Sequence, residues 1–263
     1  MFSKILVGHD LTREANHALR RAAQLAKQLG AQLTLLHAGP DDDSPQAQAT
    51  LRGLLSDIGA PQTQLLIRKG KPSDVTLQVA EELGCDLLVA GTHHKGRPEA
   101  FSGSNLERIA RHSRIPLLMV RNAPEGPYHS ALVALDSSVC ACNALTSAFR
   151  LLPSDGVLHA VNIYDQALQL PPAKQREHLQ IQQDLLQQLI SDELEMQPGS
   201  GPQPTLEVRP GTLAGSLDEV IAERQPQLLV LGQHSRSRLS EALLGSLPAY
   251  YLRQPLCDVL LVK

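Results

Sequence analysis

The feature that most constrains this chain is an internal repeat, because one order of aliphatic runs and helical patterns occurs twice. Residues 4–10 (KILVGHD) match residues 131–136 (ALVALD), and each run ends in an aspartate that precedes a helical pattern. Further matching runs follow in the same order: residues 33–37 with 157–163, 65–70 with 206–211, 86–91 with 227–232, and 115–120 with 257–262. The chain is therefore expected to contain two copies of one domain.

Strand-like and helix-like segments alternate within each copy as β-α-β-α-β-α-β-α-β. Such alternation predicts a parallel sheet with right-handed crossovers and helices on both faces. We therefore predict an α/β fold of two tandem Rossmann-like domains, each with a five-stranded parallel sheet. Gly30 and Gly84 stand where helices would end, and Ser216 with Glu219 has the spacing of a capping box at a helix start.

The boundary between the copies is predicted at residues 122–127 (NAPEGP), a linker rich in proline and glycine. The predicted domains are residues 1–122 and 128–263. The offset between matching positions grows from 126 residues (Asp10 to Asp136) to 141 (Leu65 to Leu206), so the second copy has 15 more residues between these points. Residues 166–196 account for this insertion and predict a longer second helix.

Composition and charge narrow the classes of protein. The net charge of −3 and the low aromatic content of 3% argue against nucleic acid binding. No stretch of apolar residues is long enough to predict a membrane span, and the first ten residues predict a strand and not a signal peptide. The four cysteines lack paired zinc spacing and do not resemble a disulfide framework, so a reducing, cytoplasmic location is the simplest expectation.

A ligand site is predicted from the order of the strands. Open parallel sheets bind ligands at the carboxyl ends of their strands, at the point where the strand order reverses. In a five-stranded sheet of this kind, that point lies between the first and the fourth strand. The residues at these places are alike in both copies: Asp10 and Asp136 follow the first strand, Gly91 and Gly232 follow the fourth, and the Gly-Ser pairs Gly103-Ser104 and Gly245-Ser246 precede the last helix.

These residue types suit a phosphorylated ligand. A glycine lets the backbone approach a ligand closely, the N-terminus of a helix binds phosphate, and an aspartate accepts hydrogen bonds from ribose hydroxyls. The same residues also have a purely structural interpretation, in which Asp136 caps the first helix of its copy and Gly245-Ser246 caps the last. The spacing alone favours the structural interpretation.

Residues 232–246 (GQHSRSRLSEALLGS) resemble the nucleotide loop of the universal stress protein family. The family pattern is Gly, two residues, Gly, nine residues and Gly-Ser or Gly-Thr, and here Ser235 replaces the second glycine. The resemblance covers nearly the whole chain twice, and it implies a tandem universal stress protein that binds ATP or another adenine nucleotide. It implies that Asp136 contacts the nucleoside, that Gly232, Ser235, Gly245 and Ser246 hold the phosphates, and that His234 orders the loop.

The first copy departs further from this pattern. His94 stands at the second glycine position, and the loop to Gly103 is one residue short. Asp10, Gly91, Gly103 and Ser104 are therefore weaker candidates, and nucleotide is expected mainly in the second copy. Besides Ser235, the second copy has one further departure, Pro248, which removes a backbone N–H from the first turn of the last helix.

The resemblance implies a cytoplasmic stress-response sensor or partner-binding module, with an adenine nucleotide and unidentified proteins as its partners. The alternative is a scaffold of the same fold that binds no nucleotide and acts through protein partners. Slow ATP hydrolysis ranks last, because no water-activating base has a defined position and no catalytic residue is assigned. The aliphatic fifth strands predict pairing of the two copies as a pseudo-dimer, and further homodimerisation remains open.

Four histidines of the first copy fall at predicted strand ends: His9, His37, His93 and His94. They could form a zinc site with Asp10, or they could be polar residues at the exposed end of the sheet. The second interpretation is favoured, and no metal is expected.

Overall fold

The computed structural model describes residues 2–39, 45–92, 105–165, 169–199, 201–233 and 244–263. Along the chain, these residues form two compact units that divide between Pro127 and Tyr128.

The first unit is a parallel sheet of five strands in the order β3-β2-β1-β4-β5. Its strands are β1 (Lys4–Gly8), β2 (Gln32–Gly39), β3 (Gln64–Lys69), β4 (Leu87–Gly91) and β5 (Leu117–Val120). Its helices are α1 (Arg13–Leu29), α2 (Pro45–Asp57), α3 (Pro72–Leu83) and α4 (Asn105–His112).

The second unit repeats this arrangement, with strands in the order β8-β7-β6-β9-β10, all parallel. Its strands are β6 (Ser130–Ala134), β7 (Val157–Tyr164), β8 (Pro204–Pro210), β9 (Leu228–Gly232) and β10 (Asp258–Val262). Its helices are α5 (Val139–Leu151), α6 (Pro172–Glu195), α7 (Leu213–Arg224) and α8 (Ser246–Arg253).

The predicted fold class is confirmed, and the aliphatic central strands explain it. Leu6 of β1 and Val133 of β6 are fully buried, as expected for strands with helices on both faces. In each unit the first strand pairs with the second on one side and the fourth on the other, as Ile5 does with Leu33 and Leu87. The strand order therefore reverses beside the first strand, where the sequence predicts the ligand site.

Of three local predictions about the helices, two are confirmed and one is wrong. Gly30 and Gly84 end α1 and α3 in the left-handed conformation, with φ of 65° and 60°, as predicted. The insertion forms α6, which has 24 residues against 13 in α2, as predicted. The predicted capping box is wrong, because Thr212 is the N-cap of α7 and Ser216 lies one turn inside the helix.

Candidate nucleotide site

The aspartate of the second unit lies in a tight turn directly after β6. One oxygen of its carboxylate, Asp136 Oδ1, accepts a hydrogen bond from the N–H of Ser138 at 2.8 Å. The hydroxyl of Ser138 in turn accepts from the N–H of Ala141 at 3.2 Å and caps α5. Ser138 and not Asp136 therefore caps this helix. Asp136 Oδ2 has no hydrogen-bond partner among the described residues, and Asp136 lines a cavity of this unit.

A buried side chain of the neighbouring strand holds the backbone just before this aspartate. Asn162 of β7 donates from Nδ2 to the carbonyl oxygen of Leu135 at 2.7 Å. The first unit has the same support, because His37 Nδ1 of β2 donates to the carbonyl oxygen of His9 at 2.6 Å. Sequence analysis missed Asn162, although a polar residue at the same position of an aliphatic strand in both copies was the available signal.

The glycines that end β4 and β9 are required by helix packing. A Cβ at Gly232 would lie 2.9 Å from the backbone nitrogen of Ala141 in α5, and a Cβ at Gly91 would lie 2.6 Å from the carbonyl oxygen of Glu14 in α1. Each glycine therefore allows the first helix of its unit to approach the fourth strand. The sequence suggested close approach to a ligand, and the structure provides a separate, structural reason for these glycines.

The last helix of the second unit begins directly after Gly245. The N–H of Gly245 donates to the carbonyl oxygen of Gln233 at 3.3 Å. The N–H groups of Ser246 and Leu247 occupy the first turn of α8 and have no partner within the described parts of the chain. Pro248, the third residue, carries no N–H. The start of α8 therefore presents two backbone donors and the positive end of its helix dipole.

These groups line one cavity of about 160 Å³ at the carboxyl ends of β6 and β9. Four of the predicted site residues border it: Asp136, Gly232, Gly245 and Ser246. Much of the remaining wall is aliphatic, formed by Leu135, Val161, Ile163, Leu213, Leu217, Leu231 and Leu247. Two further predicted residues, His234 and Ser235, lie outside the described residues. The cavity thus combines a carboxylate, a helix N-terminus and an apolar wall.

The first unit has a cavity of about 100 Å³ at the equivalent place. Asp10 and Gly91 line it, whereas Gly103 and Ser104 lie outside the described residues. Asp10 Oδ1 accepts from the N–H and the hydroxyl of Thr12, at 3.2 and 2.5 Å. Leu11, which lies between Asp10 and Thr12 in the chain, has a left-handed φ of 64°, a conformation that is unfavourable for a leucine.

His9 holds this unusual turn. The N–H of Leu11 donates to His9 Nδ1 at 3.0 Å, so Nδ1 carries no hydrogen and Nε2 donates to the side-chain oxygen of Asn16 at 2.9 Å. The bond from Leu11 requires the neutral ring, because a protonated Nδ1 cannot accept, whereas the bond to Asn16 is compatible with either form. Burial lowers the pKa of His9 from its usual 6.5, which outweighs the opposite effects of Asn16 and Asp10.

We expect the first unit to lose stability as the pH falls below about 6.5. The pKa of His9 is lower in the folded state, so the unfolded chain binds more protons in this range and acid favours unfolding. Urea denaturation between pH 5 and 7.5, followed by hydrogen exchange in α1, measures the effect. His9→Leu, which introduces the residue of the equivalent position Leu135, should flatten this pH dependence, and an unchanged slope would contradict the assignment.

No cluster of three or more His, Cys, Asp or Glu side chains within the described ranges could hold a metal ion. His93 and His94 lie outside those ranges, so the zinc alternative is not tested. No helix in the described part of the chain is both long and apolar enough to span a membrane.

Two parallel α/β units in tandem, each with a cavity where its strand order reverses, define a two-domain Rossmann-like protein. The model of the universal stress protein family matches residues 1–54, 45–121 and 127–263. These matches cover nearly the whole chain, and the protein belongs to the universal stress protein family.

Individual relatives agree with this membership. A universal stress protein of Thermus aquaticus is 29% identical over 137 residues, which are 46% of this chain and 100% of the relative. One from Synechocystis sp. is 32% identical over 135 residues, or 46% of this chain and 86% of the relative. The crystal structure of a universal stress protein from Archaeoglobus fulgidus covers 99% of this chain and 98% of its own, with a TM-score of 0.69. Its sequence identity is 15%, so this likeness concerns the fold alone.

Proposed function

We propose that the second unit binds ATP or another adenine nucleotide, and that the protein acts as a stress-response sensor or partner-binding module. The observation that carries the proposal is the cavity in which Asp136 and the first turn of α8 both lie. A nucleotide needs a hydroxyl acceptor, an anion site and an apolar surface, and this cavity offers all three.

The cavity offers a suitable protein group to each part of the nucleotide. Asp136 Oδ2 would accept hydrogen bonds from the ribose hydroxyls. The N–H groups of Ser246 and Leu247 would donate to a phosphate, where the helix dipole favours negative charge. Leu213 and Leu217, which line the cavity from α7, would pack against the base.

We propose binding and not hydrolysis. Asp136 is the sole ionisable side chain among the described residues that line the cavity. One of its oxygens is already engaged by Ser138, and the other is assigned to the ribose. A general base needs a proton acceptor within reach of the attacking water, and this arrangement assigns no group to that role.

The proposal predicts that Asp136→Asn weakens ATP binding at least tenfold, whereas Asp10→Asn leaves the affinity unchanged. Asparagine has the same shape but loses the charge of the acceptor, and hydrogen bonds to a charged group contribute about 1.5–3 kcal/mol. Isothermal titration calorimetry of the full chain with ATP measures both affinities and the stoichiometry, for which one ATP per chain is expected. Absence of binding to the unmodified protein, or a larger effect of Asp10→Asn, would reject the proposal.

The scaffold function remains the second candidate, and Pro248 is the observation that favours it. This residue stands third in α8 and deprives the proposed phosphate site of one N–H donor. The nucleotide released when the purified protein is denatured distinguishes the binding function from the scaffold function. Close to one nucleotide per chain supports the binding function. No released nucleotide, together with no binding on titration, supports the scaffold. The cytoplasmic location, the protein partners and self-association remain predictions in either case.

A further inference from the structure

The long helix α6 exposes two large aliphatic side chains on one face. Ile181 is 50% exposed, and Leu185, one turn further along, is 63% exposed. The equivalent helix of the first unit, α2, is described over its whole length and exposes no large hydrophobic side chain. The apolar face is therefore a property of the longer helix and not of the fold that both units share.

Ile181 and Leu185 lie at the centre of a longer stripe, which we call the α6 stripe. Side chains that are three or four residues apart lie on the same face of a helix. Successive steps of three or four residues give the six members of the stripe: Lys174, His178, Ile181, Leu185, Gln188 and Asp192. All of them are exposed except His178, which is half-buried. At 1.5 Å per residue the stripe is about 27 Å long.

The charges at the two ends of α6 oppose its helix dipole. Acidic residues in the first turn and basic residues in the last turn stabilise a helix. The first turn of α6 has no acidic residue and its last turn has no basic residue. Instead, Lys174 lies in the first turn, and Asp192, Glu193 and Glu195 lie in the last. The stability of the helix itself therefore does not explain where these charges lie.

A second copy of α6 that runs antiparallel to the first matches the stripe in shape and in charge. A two-fold axis midway between Ile181 and Leu185 brings Ile181 of one copy against Leu185 of the other. Lys174 lies seven residues before Ile181, and Asp192 lies seven residues after Leu185. Each Lys174 therefore faces the Asp192 of the other copy. The charges that are unfavourable within one helix become favourable between two.

The polar groups of the stripe are compatible with this contact. Gln188 donates from Nε2 to Asp192 Oδ1 at 2.7 Å. Neither Asp192 Oδ2 nor the ammonium of Lys174 has a partner among the described residues, so both groups can form an ion pair without breaking another bond. His178 and Gln188 lie three residues outside the apolar pair at either end, and they face each other across the two copies.

The size of the contact predicts a weak dimer. Stable complexes bury about 1,200–2,000 Å² in total, and two aliphatic side chains from each helix provide only a small apolar centre. Asp184 also opposes the contact, because the two-fold axis brings it near the Asp184 of the other copy. Gln180 donates to Asp184 Oδ1 at 2.8 Å, and salt screens the repulsion between exposed carboxylates. Association is therefore expected to depend strongly on protein concentration.

We propose that the second unit self-associates through an antiparallel contact between the α6 stripes of two copies of this chain. The contact is separate from the nucleotide cavity, because no residue of α6 is among the described residues that line it. Sedimentation velocity of the full chain without nucleotide, between about 10 µM and 1 mM, measures the dissociation constant. We expect the mean sedimentation coefficient to rise with concentration from the monomer value towards that of a dimer.

Leu185→Glu places a carboxylate in the apolar centre of the contact twice in each dimer, and it should raise the dissociation constant at least tenfold. Val139→Glu is the matched control, because Val139 is 73% exposed in the first turn of α5 and undergoes the same kind of change. The control should leave the dissociation constant within about twofold of that of the unmodified protein. Circular dichroism checks that both variants are folded.

Charge reversal tests the antiparallel register. Lys174→Glu and Asp192→Lys each bring like charges together in both ion pairs, and each should raise the dissociation constant about fivefold. The double variant restores opposite charges and should return to within about twofold of the unmodified protein. Each single change places a favourable charge at its end of α6, so weaker association cannot be explained by a weaker helix.

The proposal is overturned by a monomer at every concentration, or by a dimer that Leu185→Glu does not weaken, because the interface would then lie on another face. Equal effects of Val139→Glu and Leu185→Glu, or a double charge reversal that fails to restore association, would also overturn it. The result does not depend on the nucleotide proposal, because the measurement contains no nucleotide. Asp136→Asn, which tests nucleotide binding, should leave the dissociation constant of the dimer unchanged.

Discussion

Gly91→Ala is expected to lower the free energy of unfolding of the first unit by about 3 kcal/mol, as overpacking of a tight contact does. The new Cβ would lie 2.6 Å from the carbonyl oxygen of Glu14 and 2.9 Å from the nitrogen of Ala15. Both atoms belong to the first turn of α1, which Thr12 caps, so they cannot move without shifting the helix. Urea denaturation, with hydrogen exchange in α1 to identify the unit that opens, measures the loss.

Gly53→Ala is the control for this substitution. Gly53 lies within α2, and a Cβ there would meet no atom within 4 Å. Because alanine is the better helix former, this variant should be more stable than the unmodified protein by about 0.5–1 kcal/mol. If Gly91→Ala were as stable as the unmodified protein, the close approach of α1 to β4 would be the wrong explanation for this glycine.

Tyr128→Phe should destabilise the second unit by about 2 kcal/mol. Tyr128 is 1% exposed, and its hydroxyl donates to Asp258 Oδ2 at 2.5 Å, while Asp258 itself is 2% exposed. Phenylalanine fills the same space but leaves a buried carboxylate oxygen without this donor, and bonds to charged groups contribute about 1.5–3 kcal/mol. Chemical denaturation followed by hydrogen exchange in β10 measures the change.

A second tyrosine provides the comparison. The hydroxyl of Tyr250 donates to Asp218 Oδ2 at 2.6 Å, but Tyr250 is only half-buried, and Tyr251 still donates to the other oxygen of Asp218. Water can therefore replace the lost donor, and Tyr250→Phe should cost less than 1 kcal/mol. Equal losses of unfolding free energy in the two variants would mean that burial of the Tyr128–Asp258 pair adds nothing to the strength of its hydrogen bond.

The fold was predictable because its signals are local and occur twice. The glycines that end α1 and α3, the alternation of strands and helices, and the insertion that forms α6 all depend on neighbouring residues in sequence. The start of α7 was not predicted correctly, because Thr212 and Ser216 are both suitable N-caps. The turn that follows β8 places the helix start at Thr212, one turn before the position that the capping-box pattern indicated.

The candidate site was predictable in part. Parallel topology brings the ends of the first and fourth strands together, so Asp136, Gly232 and Gly245 could be placed at one cavity from the sequence. The packing of α5 against Gly232 could not be foreseen, because it depends on how closely a helix approaches a strand in three dimensions. The cavity walls were also hidden, because the orientation of Leu217 and Thr76 depends on the register of helices that the sequence locates only approximately.

The hydrogen bonds from Asn162 and His37 to the carbonyls before the two aspartates have a consequence for evolution. Each aspartate is positioned by a buried residue outside the turn, so the turn itself is free to diverge. One copy has Leu11 in a left-handed conformation where the other has Ser137. A duplicated domain of this kind can acquire a new ligand by exchanging wall residues alone, while the carboxylate stays in place throughout the transition.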